Sequence, residues 1–517
     1  MPRRKPKEYL LAGLRVLRRP PRWLVLALVA LAVEGVYVFI VSAGKLTGWP
    51  TYVTYLNFQA EGFRAGHLHL SLEPPAALVA SPHPLDPANA SLWYWDASLF
   101  KGHFYLYWGP VPALLLAVVK ILFRIRVEVG DQYPVFGLAT LQLLAGTVLI
   151  ARVARRLCSG LPTTLVAIGV AAFGLANPTL YNLGRAGVYE AAIVGGHAFL
   201  LSGLLFAFEA VWRASSGRLY RNGLLGAGVC WALALGCRVT LAPAVVLLFL
   251  ATVLWAGGGG GADRWRRRMV ASIWLAAPVA IGVAALLAYN KARFESWFDF
   301  GRHYQLTWIA FTANAAFIPA NLYSYALRPL VESCRFPFFF AVEAMGDGAL
   351  PKWLHMPPGY YVYEQVTGFL VAVPWSWLWI VTLAIPVRSS WRAWRDRRVL
   401  DPQSATMVWA ILAFLIVGFG TLVVELPLLT ATMRYLGDAV GGIVLGGALG
   451  SWLLYHRLRQ RVISRRLVIA GCALLALATV VIGIALGFEG QYKHFRLFNP
   501  RLLDKLDARW SVCRHHH

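Results

Sequence analysis

Along the chain, long apolar stretches alternate with short polar clusters from one end to the other. Apolar runs at 23–43, 133–151, 162–183, 189–210, 223–238, 241–257, 270–290, 369–387, 404–424, 435–454 and 467–487 lie near the roughly 20 residues a helix needs to cross the hydrocarbon core. They predict an all-α polytopic membrane protein of about eleven transmembrane helices. The run at 110–123 breaks the pattern: it is too short to span and contains Lys120, so it reads as a re-entrant or interfacial helix. Upstream, YLNFQAEGFRAGHLHL (55–70) sets Leu56, Phe58, Ala60 and Phe63 at helical spacing. This predicts an amphipathic helix on the membrane surface with Glu61 and Arg64 on its polar side.

The polar clusters between spans are rich in arginine, as at Arg152/Arg155/Arg156, Arg264/Arg266/Arg267/Arg268 and Arg457/Arg459/Arg461. Placed together on the cytoplasmic face, they put the N-terminus inside and the C-terminus outside. The chain then divides into a basic N-terminus (1–22), a membrane domain (23–487) with two long outer segments (44–132 and 291–368), and an outer tail (488–517). The expected location is the inner (plasma) membrane, with the active site on the extracytoplasmic side.

Composition agrees with this pattern. With 58% hydrophobic residues and 14% charged, the chain lies outside the soluble globular range. Its net charge of +25 comes from short runs beside apolar segments, a topology signal, so no nucleic acid is expected as partner. The first apolar run is long enough to span and lacks a small-residue cleavage pattern, so it is not read as a cleavable signal. The six cysteines (Cys158, Cys230, Cys237, Cys334, Cys472, Cys513) are scattered, and neither a disulfide framework nor a zinc site is expected. Gly257 to Gly261 reads as a flexible turn and His515-His516-His517 as a tag remnant. No internal repeat is apparent.

The candidate chemistry lies in the outer segments and at the ends of spans. SPHPLDP carries Asp86 in a turn-rich stretch, and LWYWDASLFKGHFYLYWGPVPA (92–113) carries Asp96 among aromatics that suit the interface, including Tyr105 and Tyr107. A carboxylate at that depth can meet both a lipid-borne and a water-borne substrate; the bland reading is a turn aspartate in an aromatic belt. Glu190, Arg238, Glu425, Arg434 and Asp438 fall at the outer ends of spans, where several charges together argue for a polar cavity. For any one of them the structural reading is an ion pair, such as Glu425 with Arg434. YNKARFESWFDFGRHYQLT (289–307) adds Arg293, Asp299, Arg302 and His303, and YVYEQVTGF adds Glu364. A basic and aromatic loop over a cavity suits an anionic or sugar-bearing substrate.

The order of these features resembles the C-type superfamily of integral membrane glycosyltransferases. The resemblance covers about 23–455: a long first outer loop, a juxtamembrane helix, WDASLFKGHFYLYWGPVPALLL, a helix ending in ARVARRL, then YNKARFESWFDFGRHYQLT and MRYLGDAVGG. It implies a sugar moved from a polyprenyl-phosphate donor, with inversion, to a cell-envelope glycan, lipid or protein acceptor, in contact with membrane lipids. A first-loop carboxylate would act as base, which here means Glu61 or Asp96, with Asp86 behind them. Arg434, Arg302 and Arg238 would hold the departing phosphate, with Tyr435, His303, Tyr105, Tyr107 and Glu190 around it. Many members carry an acidic residue at the start of the first loop, where this chain has Tyr52-Val53. No Asp-x-Asp motif is present, so no cofactor is implied and a divalent metal is not indicated. The competing readings are a transporter or flippase for a lipid-linked or polar solute, favoured less by the uneven loops, and a catalytically silent scaffold.

Overall fold

The computed structural model describes residues 20–256, 263–308, 312–341, 350–359, 364–385, 401–490 and 493–513. The basic runs at 1–19 and 386–400, the Gly257 to Gly261 turn and the terminal histidines lie outside them. All eleven stretches expected to cross contain helix. Seven helices are long and apolar enough to span: α1 (Arg22–Val41), α4 (Gln132–Leu157), α7 (Val188–Ser215), α9 (Val239–Ala256), α10 (Arg264–Phe294), α13 (Pro402–Glu425) and α15 (Val462–Glu489). The other four stretches are shorter, interrupted or less apolar. They are α5 (Thr163–Leu175) followed by α6 (Thr179–Gly184), α8 (Arg221–Cys237), α12 (Pro374–Ile385) and α14 (Val440–Leu458).

Burial sorts the bundle from its centre outward. In the apolar window of α7, 83% of residues are buried, against 11% in α10, so α7 is the axis and α10 a lipid-facing flank. Where water is excluded, small residues and hydrogen bonds hold helices together. The α14 glycines do this: a Cβ on Gly446 would lie 1.9 Å from Trp379, so only glycine lets α12 approach. The gap closes with Trp375 Nε1 donating to Val444 O (3.1 Å), Trp379 Nε1 to Ile443 O (2.8 Å) and Thr382 Oγ1 to Gly446 O (2.7 Å).

Two short helices in the first loop flank the bundle. α2 (Tyr55–Arg64) forms over the residues expected to be helical, but Tyr55, Leu56, Asn57, Gln59, Ala60 and Gly62 are buried, so it packs into protein rather than lying along the membrane surface. α3 (Val111–Leu122) is the expected short one, with Leu114, Val118, Ile121 and Leu122 exposed as a lipid-facing side requires. Between them a hairpin pairs β1 (Ser98–Phe100) with β2 (His103–Tyr105), turning at Lys101 and Gly102, both at positive φ (48° and 78°) as a primed turn demands.

A second hairpin, β3 (Leu330–Glu332) with β4 (Phe339–Ala341), meets the C-terminal helix α16 (Pro500–Trp510) beside a Cys334–Cys513 disulfide. The expectation of no disulfide framework is corrected here. The two cysteines are 179 residues apart in sequence, a separation that only tertiary folding closes.

Candidate functional site

Asp96 follows Trp93, Tyr94 and Trp95 and sits at φ 63°, a left-handed conformation that aspartate tolerates better than most residues. The second loop fixes it there. Asp96 N donates to Leu306 O (3.0 Å), Leu306 N donates to Ala97 O (2.8 Å), and Ser98 bridges Gln305, so residues 305–306 extend the β1–β2 edge. Asp96 Oδ1 then accepts from Tyr189 Oη (3.2 Å) and Gln305 Nε2 (3.0 Å). Burial pushes its pKa above the ordinary aspartate value, with Arg434, Tyr189, Gln305 and Arg185 pulling the other way.

Tyr189 is the hinge of the site. Its hydroxyl reaches Asp96, and its ring carries the Arg434 guanidinium at 4.2 Å. Arg434 is held by Glu364 (Nη2 to Oε1, 2.5 Å) and more loosely by Glu190 (3.8 Å). Arg238 makes a separate buried group, 2.8 Å from Glu425 and 2.6 Å from Asp438. The structure therefore corrects the expected pairing: Glu425 belongs to Arg238, and Glu364 takes Arg434. Sequence proximity favoured Glu425, but it lies on α13 facing the end of α8.

Tyr189 also faces a cavity of about 150 Å³. Tyr107, Arg238, Tyr289, Arg293, Arg302 and Tyr435 share its wall. The floor is tight: a Cβ on Gly109, at the start of α3, would lie 2.0 Å from Gly236 O on α8. Arg293 is the unusual member. It is 3% exposed, stacks on Tyr289 at 3.8 Å and donates to Asn290 Oδ1 (2.8 Å) and to Leu106 O. Its Nε is buried without a partner, and it forms no ion pair with a carboxylate among the described residues. Asp299 acts on it only from beyond ion-pair distance, and a buried cation without a contacting carboxylate is costly unless an anion arrives to complete it.

The other sequence candidates fall in different places. Glu61 is turned to Lys120 (2.5 Å, itself 1% exposed) and Arg64 (2.8 Å), and it does not line this cavity. Burial raises its pKa, but the two cations outweigh that, so the net direction is down. Asp86 is exposed and caps a short turn by accepting from Ala88 N (2.8 Å). Arg302 reaches the cavity, while its neighbour His303, Tyr105 and Glu190 do not line it, and Asp96 and Arg434 stand behind its wall, each in contact with Tyr189. Glu190 caps the start of α7, accepting from Gly187 N (3.2 Å).

Sequence reasoning passed over Tyr189, Tyr289, Gln305 and Asp131. Asp131 lies where the start of the first loop is anchored: its N donates to Val53 O (3.1 Å) and its Oδ1 accepts from Leu56 N (3.0 Å), with the carboxyl pushed well above the usual range by burial. Its place directly before the apolar run of α4 was the available signal. Nothing local marks Tyr189 apart from its being next to Glu190.

No family model and no curated relative matches the sequence. Among solved structures, the chain is similar to the Archaeoglobus fulgidus oligosaccharyltransferase in its apo form (TM-score 0.44, 15% identity, covering 91% of this chain and 56% of that one). It is also similar to AglB of the same organism with an inhibitory peptide and a dolichol-phosphate (TM-score 0.44, 12% identity, 89% and 55%). ArnT from Cupriavidus metallidurans bound to undecaprenyl phosphate is a third (TM-score 0.40, 14% identity, 93% and 78%). The chain spans a little over half the length of the archaeal oligosaccharyltransferase, 56% of it.

Proposed function

We propose that this multi-pass membrane protein is a glycosyltransferase that moves a sugar from a polyprenyl-phosphate donor to a cell-envelope acceptor on the extracytoplasmic side. The observation that carries the reading is Arg293, a buried cation without a carboxylate on the wall of an aromatic cavity, one tyrosine away from a carboxylate with a raised pKa. In this reading Arg293 and Arg302 take the donor phosphate, and Arg238, already neutralised by Glu425 and Asp438, shapes the cavity. Asp96 is favoured over Glu61 and Asp86 as base, because those two are engaged in a surface ion-pair group and a turn cap.

The acceptor hydroxyl attacks the anomeric carbon opposite the phosphate. Asp96 takes the hydroxyl proton as the new carbon–oxygen bond forms, and the old glycosidic bond breaks toward the phosphate. The polyprenyl phosphate leaves with its growing charge held by the arginines. Arg434 near Asp96 favours the ionised, basic form, while burial keeps its proton affinity high enough to be useful.

The Cys334–Cys513 disulfide supports the orientation, since such bonds persist in oxidising compartments, on the side opposite the arginine-rich loops. The test is binding of undecaprenyl phosphate to the detergent-purified chain. The reading requires saturable binding that is lost in Arg293→Ala and kept in Asp96→Asn; equal binding by Arg293→Ala would sink it.

A further inference from the structure

A second cavity has Gln365, the residue after Glu364, on its wall. It has a volume of about 580 Å³ and opens between the β3–β4 hairpin, the end of α15 and α16. Three cations stand on its wall, Arg335, Lys493 and Arg496, beside the rings of Phe336, Phe340 and Phe488. None of the three cations makes an ion pair among the described residues. The two carboxylates on the same wall serve the framework. Asp507 accepts from Phe336 N (3.1 Å), and Glu489 accepts from Ala341 N (2.9 Å) and Gln365 Nε2 (3.2 Å). Those bonds hold the hairpin against α15 and α16, and the Cys334–Cys513 disulfide closes the same corner. The cavity wall is thus fixed, and its three cations are exposed to whatever enters.

The cavity is wired to the site already described. Gln365, on its wall, accepts from Tyr181 Oη at Oε1 (3.2 Å) and from Met433 N at its carbonyl (3.1 Å), and the preceding residue, Glu364, holds Arg434. Arg434 thus touches Tyr189 and Tyr435 of the first cavity and Glu364, the neighbour of Gln365 in the second. Cations with flat apolar rings suit a saccharide that carries acidic groups: the anions meet the arginines and lysine, and the sugar's CH faces lie on phenylalanine.

We infer that this second cavity binds the acceptor, and that the acceptor is an anionic saccharide, bearing carboxylate or phosphate groups. The inference rests on the donor reading for its direction, since it gives each substrate its own cavity.

The test uses the full chain in detergent, with trigalacturonate as anionic probe and maltotriose as neutral control, followed by calorimetry. Wild type should bind trigalacturonate in preference to maltotriose, and more weakly as salt rises from about 50 to about 300 mM, because partly exposed charges are screened. The double variant Arg335→Ala/Arg496→Ala should lose at least about tenfold in affinity for the anionic probe. Correct pairing of Cys334 with Cys513 on a non-reducing gel shows that the variant's lobe is folded. Equal binding by this folded variant, or no charge preference in wild type, overturns the inference. So does displacement of the probe by phosphatidylglycerol nanodiscs, which would assign the cavity to lipid headgroups. Undecaprenyl phosphate binding on the same preparations separates the two proposals: if wild type fails to bind the lipid the donor reading falls, whereas failure to bind trigalacturonate removes only the acceptor cavity.

Discussion

Tyr189 donates its hydroxyl to Asp96 across 3.2 Å, joining a residue of the first loop to the first turn of the most buried helix. This bond aims the Asp96 carboxylate. Removing the carboxylate in Asp96→Asn is expected to lower the transfer rate by about 10²–10⁴-fold, the usual worth of a general base, while undecaprenyl phosphate binding is unchanged. Tyr189→Phe keeps the ring under Arg434 and should cost about tenfold or less, through aim alone. Steady-state rates with separately measured lipid binding distinguish the two effects.

The raised pKa of Asp96 also sets a pH dependence. Activity should rise with pH through that pKa, because only the ionised form accepts a proton. Stability runs the other way. The folded protein holds the Asp96 proton more tightly than the unfolded chain, so this contribution is fully present below the unfolded pKa and is lost as pH rises through the folded one. Asp96→Asn is therefore expected to raise the melting temperature at pH 7 and to lose that advantage on acidification, as read by thermal melts across pH.

Glu61 makes the opposite prediction. Its pKa lies below the ordinary value, so its contribution is present at neutral pH and falls away as the carboxylate is protonated on acidification. Glu61→Gln leaves buried Lys120 with Asn57 Oδ1 and Val127 O but no counter-charge. The expected result is a lower melting temperature with transfer activity kept within a few-fold; a loss as large as that of Asp96→Asn would transfer the base role to Glu61.

Arg238 sits with two carboxylates that are each 1% exposed. Truncating it in Arg238→Ala strands both, and breaking a buried pair this way costs about 3–5 kcal/mol, enough to prevent accumulation of folded protein. Adding Glu425→Gln and Asp438→Asn to the same chain should restore much of that loss. Monodisperse yield in detergent reads both outcomes.

The orientation has its own check. Cys334 and Cys513 should become labelled by a membrane-impermeant maleimide in intact cells only after reduction, placing the hairpin and α16 on the outer face. Labelling only after permeabilisation contradicts the proposed sidedness, whereas labelling without reduction contradicts the disulfide.

The sequence by itself determined the long apolar helices, the short α3 and the helical stretch of α2, because each is a matter of local periodicity and length against a fixed membrane thickness. It also marked Asp96, Arg238 and Arg434 as notable, since charge beside an apolar run is visible without neighbours. Tertiary structure alone decided the partners. Which carboxylate holds Arg434, that Arg293 has none, and that Cys334 meets Cys513 depend on helices distant in sequence arriving at one place, and pairing energies carry no sequence-local signature. The same packing turned Glu61 toward Lys120 and set Asp96 beside Tyr189, separating two carboxylates that looked alike along the chain.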